Sequence, residues 1–130
     1  MTLTAADLVA RARAGIREIT PSQFQERAGA AAVIDVREPA EYATGHLPGA
    51  INIPRGVLEF EVAANPAVAN VTDPALADRS RHIVVYCLSG GRAALAAATL
   101  QDTGYSNVES IKGGIRSCIE AGLSLTTHTS

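Results

Sequence analysis

The sequence predicts a three-layer α/β domain, in which a mainly parallel central sheet carries helices on both faces. Short apolar runs alternate with helical segments along the 130 residues. The run His82–Tyr86 is almost continuously apolar, which is typical of a parallel strand buried on both faces. Neither an internal repeat nor a linker divides the pattern. We therefore expect one domain over residues 1–130.

Two capping boxes mark the first helices. The segment Thr4-Ala5-Ala6-Asp7 predicts a helix over residues 4–14, ended by Gly15. The segment Thr20-Pro21-Ser22-Gln23 places threonine at the N-cap and proline at the first helical position, and predicts a second helix that stops near Gly29.

The rest of the chain continues the alternation. In chain order, the sequence predicts strands at 16–19, 31–36, 50–53, 82–86 and 107–111, and further helices at 38–42, 92–103 and 114–121. Residues 56–80 contain two Pro turns and predict an irregular surface excursion, helical in part over 56–64. The core should span about 16–123, and the Thr-rich tail 124–130 should be frayed.

Composition excludes several classes of protein. The net charge is -2 and no basic block occurs, which argues against nucleic-acid binding. Apolar stretches of about five residues are far too short to span a bilayer. Two cysteines and no signal-peptide pattern predict a cytoplasmic protein with free thiols. The spacing of His, Cys and Asp predicts no metal site, and we expect no cofactor.

The loop Cys87-Leu88-Ser89-Gly90-Gly91-Arg92 carries the chemistry that the sequence predicts. It follows a buried strand and opens a helix, where ligands bind in open α/β sheets. The two glycines let backbone N–H groups curl into an anion-binding cradle, strengthened by the helix N-terminus and Arg92. We expect Cys87 to be unusually acidic and to act as a nucleophile.

Three segments of the sequence together resemble the rhodanese-like domain family. They are DVREPAEY with GHLPGAINIP (residues 35–42 and 45–54), the CLSGGR loop (87–92), and the closing segment from Gly113-Gly114-Ile115 to Ala121-Gly122-Leu123. The resemblance spans Ile34 to Leu123 and implies a sulfurtransferase. Cys87 would take the outer sulfur of thiosulfate or a similar donor as a persulfide and pass it to cyanide, a thiol or a protein. The N–H groups of Leu88 to Arg92 would form the cradle.

Two departures from the family pattern bear on the donor. Leu88 stands where thiosulfate-preferring members often carry a basic residue, which leaves Arg92 as the only charge in the loop. A protein persulfide is therefore an alternative donor. Arg116 and Ser117 occupy the place where the family often has a Trp.

Two other functions stay open. A phosphatase or arsenate reductase uses a similar loop, but with five residues between Cys and Arg where this chain has four, and with His where this chain has Tyr86. A non-catalytic persulfide carrier or redox-sensing module is the other alternative.

Five further residues have a predicted role. Arg55 is a possible substrate contact, because it follows a strand near the expected site. Cys118 is expected in the core, with a resolving thiol as the alternative. His46 is expected to stabilise its turn, and Arg37 is expected to pair with Glu41.

Overall fold

The computed structural model describes residues 2–62 and 79–128. Its strands are β1 (Arg17–Ile19), β2 (Ala32–Asp35), β3 (Ile51–Asn52), β4 (Ile83–Tyr86) and β5 (Val108–Ile111). Its helices are α1 (Ala5–Gly15), α2 (Pro21–Arg27), α3 (Pro39–Ala43), α4 (Leu58–Glu61), α5 (Gly91–Asp102) and α6 (Gly114–Glu120), with a 3-10 turn at Arg55–Val57. The strands form one sheet in the order β1-β5-β4-β2-β3, and every neighbouring pair is parallel.

The two faces of the sheet are covered by separate apolar layers. β4 is buried at each residue, because Ile83 and Val85 pack in one layer while Val84 and Tyr86 pack in the other. The first layer draws on α4 and α5, with α1 lying against α5, and the second on α2, α3 and α6. This arrangement confirms the predicted three-layer fold class. None of the described helices is long and apolar enough to cross a membrane.

Both predicted capping boxes are present. The Thr4 side chain accepts the Asp7 N–H, and the Thr20 side chain accepts the Gln23 N–H, while each third residue caps in return. The strand predicted at 50–53 is shorter, and the excursion at 56–80 begins with two tight helical turns over 55–61. Residues 63–78 of that excursion lie outside the described residues.

The C-terminal tail was predicted to be frayed over residues 124–130, but its described part, up to residue 128, is held against the domain. Thr126 forms an antiparallel bridge with His46, through N–O distances of 2.9 and 2.8 Å. The buried His46 ring stacks on Tyr42, and its nitrogens lie 3.0 Å from the Tyr42 carbonyl oxygen and 2.8 Å from that of His128. Tail composition could not reveal a partner 80 positions away. Residues 129–130 lie outside the described part of the chain.

A buried ion pair corrects the predicted partner of Arg37. The Arg37 guanidinium binds the Asp35 carboxylate, with an Nη2–Oδ2 distance of 2.7 Å, and also donates to the Gly45 carbonyl. Burial works against the charged guanidinium, but Asp35 more than offsets it and raises the pKa of Arg37. The pair ties the end of β2 to the turn that follows α3. Glu41 has a different partner, described below.

We expect an Arg37→Met variant to lose about 3–5 kcal/mol of unfolding free energy, because the Asp35 carboxylate would stay buried without its counter-charge. Urea unfolding followed by circular dichroism measures this loss. Arg11→Met is the matched control, since Arg11 is exposed. Equal losses in the two variants would contradict a stabilising role for the buried pair.

Candidate active site

The loop of residues 87–90 joins the carboxyl end of β4 to the first turn of α5. β4 lies between β5 and β2, so the loop sits at the middle of the carboxyl edge of the sheet. Open parallel sheets bind ligands at this edge, because the loops there are framed by helix N-termini.

The Cys87 sulfur faces backbone donors. Its Sγ is buried and accepts the N–H of Gly90 at 3.0 Å and the N–H of Ala93 at 3.4 Å. Gly90 has a φ of +116°, a conformation that side chains rarely adopt, and this turn directs its N–H toward the sulfur. Backbone N–H donors therefore surround a sulfur atom that is closed off from water.

Further donors line the start of α5. The N–H groups of Gly91 and Arg92 have no hydrogen-bond partner within the described residues, as is usual in the first turn of a helix, and those of Leu88 and Ser89 in the preceding loop have none either. They add to the positive end of the helix dipole. The loop can therefore hold an anionic atom attached to Cys87.

The closing helix fixes the backbone of the loop. The N–H of Ile115 donates to the Cys87 carbonyl at 2.8 Å, and that of Arg116 donates to the Leu88 carbonyl at 3.2 Å. Gly114, with a φ of +65°, lets α6 approach this closely, because a Cβ there would lie 2.5 Å from the Cys87 carbonyl oxygen. These contacts turn the two carbonyls toward α6.

Arg92 is held by Glu41 of α3. The two side chains form a bidentate pair with N–O distances of 2.8 and 3.1 Å. The hydrogen bond from Arg92 lowers the pKa of Glu41 to about 2, and the same bond raises the pKa of Arg92. This pair replaces the predicted contact between Glu41 and Arg37, so α3 anchors the first turn of α5.

We expect a Glu41→Gln variant to lose about 1 kcal/mol of unfolding free energy at neutral pH, a modest value because both side chains are about one-third exposed. The folded-state pKa of Glu41 lies below its ordinary value of 4.5, so the stabilisation is complete above about pH 4.5 and fades as the pH falls toward 2. Thermal melts of both proteins between pH 7 and 2 test this. The difference in melting temperature should shrink through that window, and a constant difference would contradict the pairing.

The remaining predicted loop residues point elsewhere. The Leu88 side chain is half-buried against the apolar layer on the α6 side, and Ser89 is exposed. The donors that face the Cys87 sulfur therefore come from the backbone, so an apolar side chain can stand at position 88 without removing any of them.

Arg55 and Cys118 lie apart from the Cys87 loop. Arg55 bonds Glu59 at 2.9 Å and Thr99 at 3.1 Å. Thr99 is roughly 10 Å along α5 from Arg92. Cys118 is buried in the second apolar layer, and burial raises the pKa of its thiol to about 11. Within the described residues, His, Cys, Asp and Glu form no cluster of three that could hold a metal.

Most of the chain matches one known protein family. Residues 20–121 match the rhodanese-like domain family. The chain belongs to this family. Among its relatives, the thiosulfate sulfurtransferase GlpE of Pseudomonas entomophila is 36% identical over 99 residues, which cover 75% of this chain and 80% of that protein. The human thiosulfate:glutathione sulfurtransferase is 34% identical over 96 residues, covering 71% and 82% of the two chains.

One solved structure resembles this rhodanese-like chain over nearly its whole length. It is a protein of unknown function from Rhodopseudomonas palustris, described as a possible tyrosine phosphatase. It superposes with a TM-score of 0.83 at 29% identity and covers 97% of this chain and 96% of that one.

Sequence reasoning missed three contributors to the rhodanese-like site. Ala93 donates to the sulfur from just beyond the predicted cradle, and the first three N–H groups of the helix could have indicated it. Gly114 packs on the loop, and its place in a Gly pair before a helix was the available signal. Glu41 lies 51 positions from Arg92, and no local pattern could have paired them.

Proposed function

We propose that this chain is a sulfurtransferase that carries sulfur as a persulfide on Cys87. One observation carries the proposal: a buried sulfur accepts two backbone N–H groups at the start of a helix, and the N–H groups of Leu88, Ser89, Gly91 and Arg92 around it are unpaired within the described residues. The names of the two sulfurtransferase relatives support the same chemistry. No metal or cofactor enters the proposed cycle.

The cycle has two displacements. The Cys87 thiolate attacks the outer sulfur of a donor such as thiosulfate, the S–S bond of the donor breaks, and sulfite leaves with the bonding pair. The outer atom of the resulting persulfide is an anion, which the loop N–H groups stabilise. An acceptor thiolate or cyanide then attacks that outer atom. The persulfide bond breaks, and the Cys87 thiolate is restored.

Of the cradle predicted from Leu88 to Arg92, the N–H groups of Leu88, Ser89, Gly91 and Arg92 remain for the outer sulfur, since Gly90 and Ala93 already face Sγ. A fixed ring of donors stabilises developing charge without having to reorganise during the reaction. The contacts from α6 keep this ring in place.

A phosphatase is the second candidate, because the Rhodopseudomonas palustris structure is described as a possible tyrosine phosphatase. Two features of this chain oppose it. The loop from Cys87 to Arg92 is one residue shorter than a phosphatase loop. In addition, Glu41 occupies the Arg92 guanidinium that would otherwise bind a phosphate.

Two parallel assays on the purified chain test the proposal. Incubation with thiosulfate and cyanide should release thiocyanate, whereas p-nitrophenyl phosphate should not be hydrolysed. Phosphate release without thiocyanate would replace the proposal with a phosphatase. If neither product forms, loading with a protein persulfide separates a docking-dependent carrier from an inert fold.

A further inference from the structure

The N-terminal helix α1 reaches the Cys87 loop. The position of a Cβ on Gly90 would be only 3.0 Å from Nη2 of Arg13, and that of a Cβ on Gly91 would be 3.7 Å from a methyl group of Val9. Val9 and Arg13 are one helical turn apart, so this side of α1 lies across the start of α5. Both residues precede the segment of the chain that matches the family.

Arg13 retains donors for a ligand. Its side chain is 43% exposed, and its only partner within the described residues is Glu18, with a long Nε–Oε2 distance of 3.6 Å. Glu18 Oε2 forms this ion pair on the Nε side of the guanidinium and has no hydrogen bond, so both Nη groups of Arg13 stay open to a ligand. In Arg92, by contrast, both Nη groups already donate to the Glu41 carboxylate.

The guanidinium is within reach of a group bound at the sulfur. The Gly90 N–H is 3.0 Å from Sγ, and Arg13 Nη2 lies beside the same residue. Covalent geometry then limits the Nη2–Sγ distance to about 9 Å or less. In a bound thiosulfate, the path from Sγ through the attacked sulfur atom and the sulfonate to a hydrogen-bond donor on the sulfonate has a similar length.

We propose that Arg13 binds the anionic group of the sulfur donor at the Cys87 loop and so selects anionic sulfane donors such as thiosulfate. This inference rests on the proposed sulfurtransferase function. It supplies from α1 the positive charge that Leu88 does not supply from within the loop. Arg13 thereby acts on the incoming donor, while the ion pair with Glu18 holds the Arg13 side chain in position.

Alkylation of Cys87 tests this charge without any turnover. Iodoacetate and iodoacetamide both react with the thiolate and release iodide, but only iodoacetate is an anion. The ratio of their rates, read by mass spectrometry at Cys87, therefore reports the local charge felt by a reagent. Arg13→Gln should lower the iodoacetate-to-iodoacetamide ratio about three- to tenfold. Arg11→Gln, an exposed arginine on the same helix, should leave the ratio unchanged.

Steady-state kinetics supply the second measurement. Arg13→Gln should raise the KM for thiosulfate several-fold and keep kcat within about twofold. The same variant should leave the KM for an uncharged organic trisulfide donor unchanged. Arg13→Lys should restore most of the lost affinity for thiosulfate. If Arg13→Gln changes neither the alkylation ratio nor the KM for thiosulfate, the inference is overturned. An equal slowing of both alkylating reagents in that variant would also overturn it, because Arg13 would then act on the sulfur itself. If the unaltered chain transfers no sulfur but Arg13→Gln still lowers the alkylation ratio as expected, the proposed function and the proposed donor are refuted. Arg13 would then still be part of an anion-binding site beside Cys87.

Discussion

A Cys87→Ser variant is expected to form no measurable thiocyanate from thiosulfate and cyanide, a loss on the order of a thousandfold or more. The hydroxyl cannot form a persulfide, and no other group in the cycle can carry the sulfur. The fold should persist, because the serine side chain is similar in size and can accept the same N–H groups from Gly90 and Ala93. Circular dichroism and a thermal melt check this.

Cys118→Ala is the matched control for that result. Cys118 is the other free cysteine, and burial raises the pKa of its thiol to about 11, so it stays protonated at neutral pH. This variant should keep thiocyanate formation within about twofold, although it loses some stability from the cavity. Substantial activity in Cys87→Ser, or its loss in Cys118→Ala, would contradict the assignment of the nucleophile.

A Gly114→Ala variant is expected to lose activity about a hundredfold and stability by about 2–4 kcal/mol. The added Cβ would lie 2.5 Å from the Cys87 carbonyl oxygen and 2.6 Å from the Leu88 carbonyl oxygen, so α6 and the loop must separate. That separation breaks the hydrogen bonds from Ile115 and Arg116 and lets the cradle turn away from the sulfur.

Gly122→Ala separates steric contact from backbone strain. Gly122 also has a positive φ, +86°, but a Cβ there would meet nothing within 4 Å. It should therefore cost about 1 kcal/mol of unfolding free energy and leave activity unchanged. Thiocyanate assays and urea unfolding of the two variants side by side measure both effects. If Gly114→Ala behaves like Gly122→Ala, the loop does not depend on α6.

The features that sequence could predict are those with a local cause. The two capping boxes depend on residues three positions apart, and the buried strand β4 depends on a continuous apolar run. The Cys87 loop likewise combines a strand, two glycines and a helix start within one short segment. Each of these signals lies within a few residues, so its outcome needs no knowledge of the rest of the chain.

The features that sequence could not predict join distant segments through single side chains. Glu41 and Arg92 are 51 positions apart, and His46 and the carbonyl of His128 are 82 apart. The position of an exposed charge such as Arg13 relative to the site cannot be read from the periodicity of the sequence. Arg13 comes close to Gly90 only because α1 crosses α5. The predicted pairing of Arg37 with Glu41 was wrong because Asp35, two positions away and buried, binds Arg37 more closely.

Intact mass spectrometry after incubation with thiosulfate tests the persulfide on Cys87 most directly. The chain should gain the mass of one sulfur atom, peptide mapping should place it on Cys87, and cyanide should remove it. Cys87→Ser should gain nothing. A chain that stays at its original mass with thiosulfate and with a protein persulfide donor, or that gains sulfur elsewhere than Cys87, would contradict the proposed function.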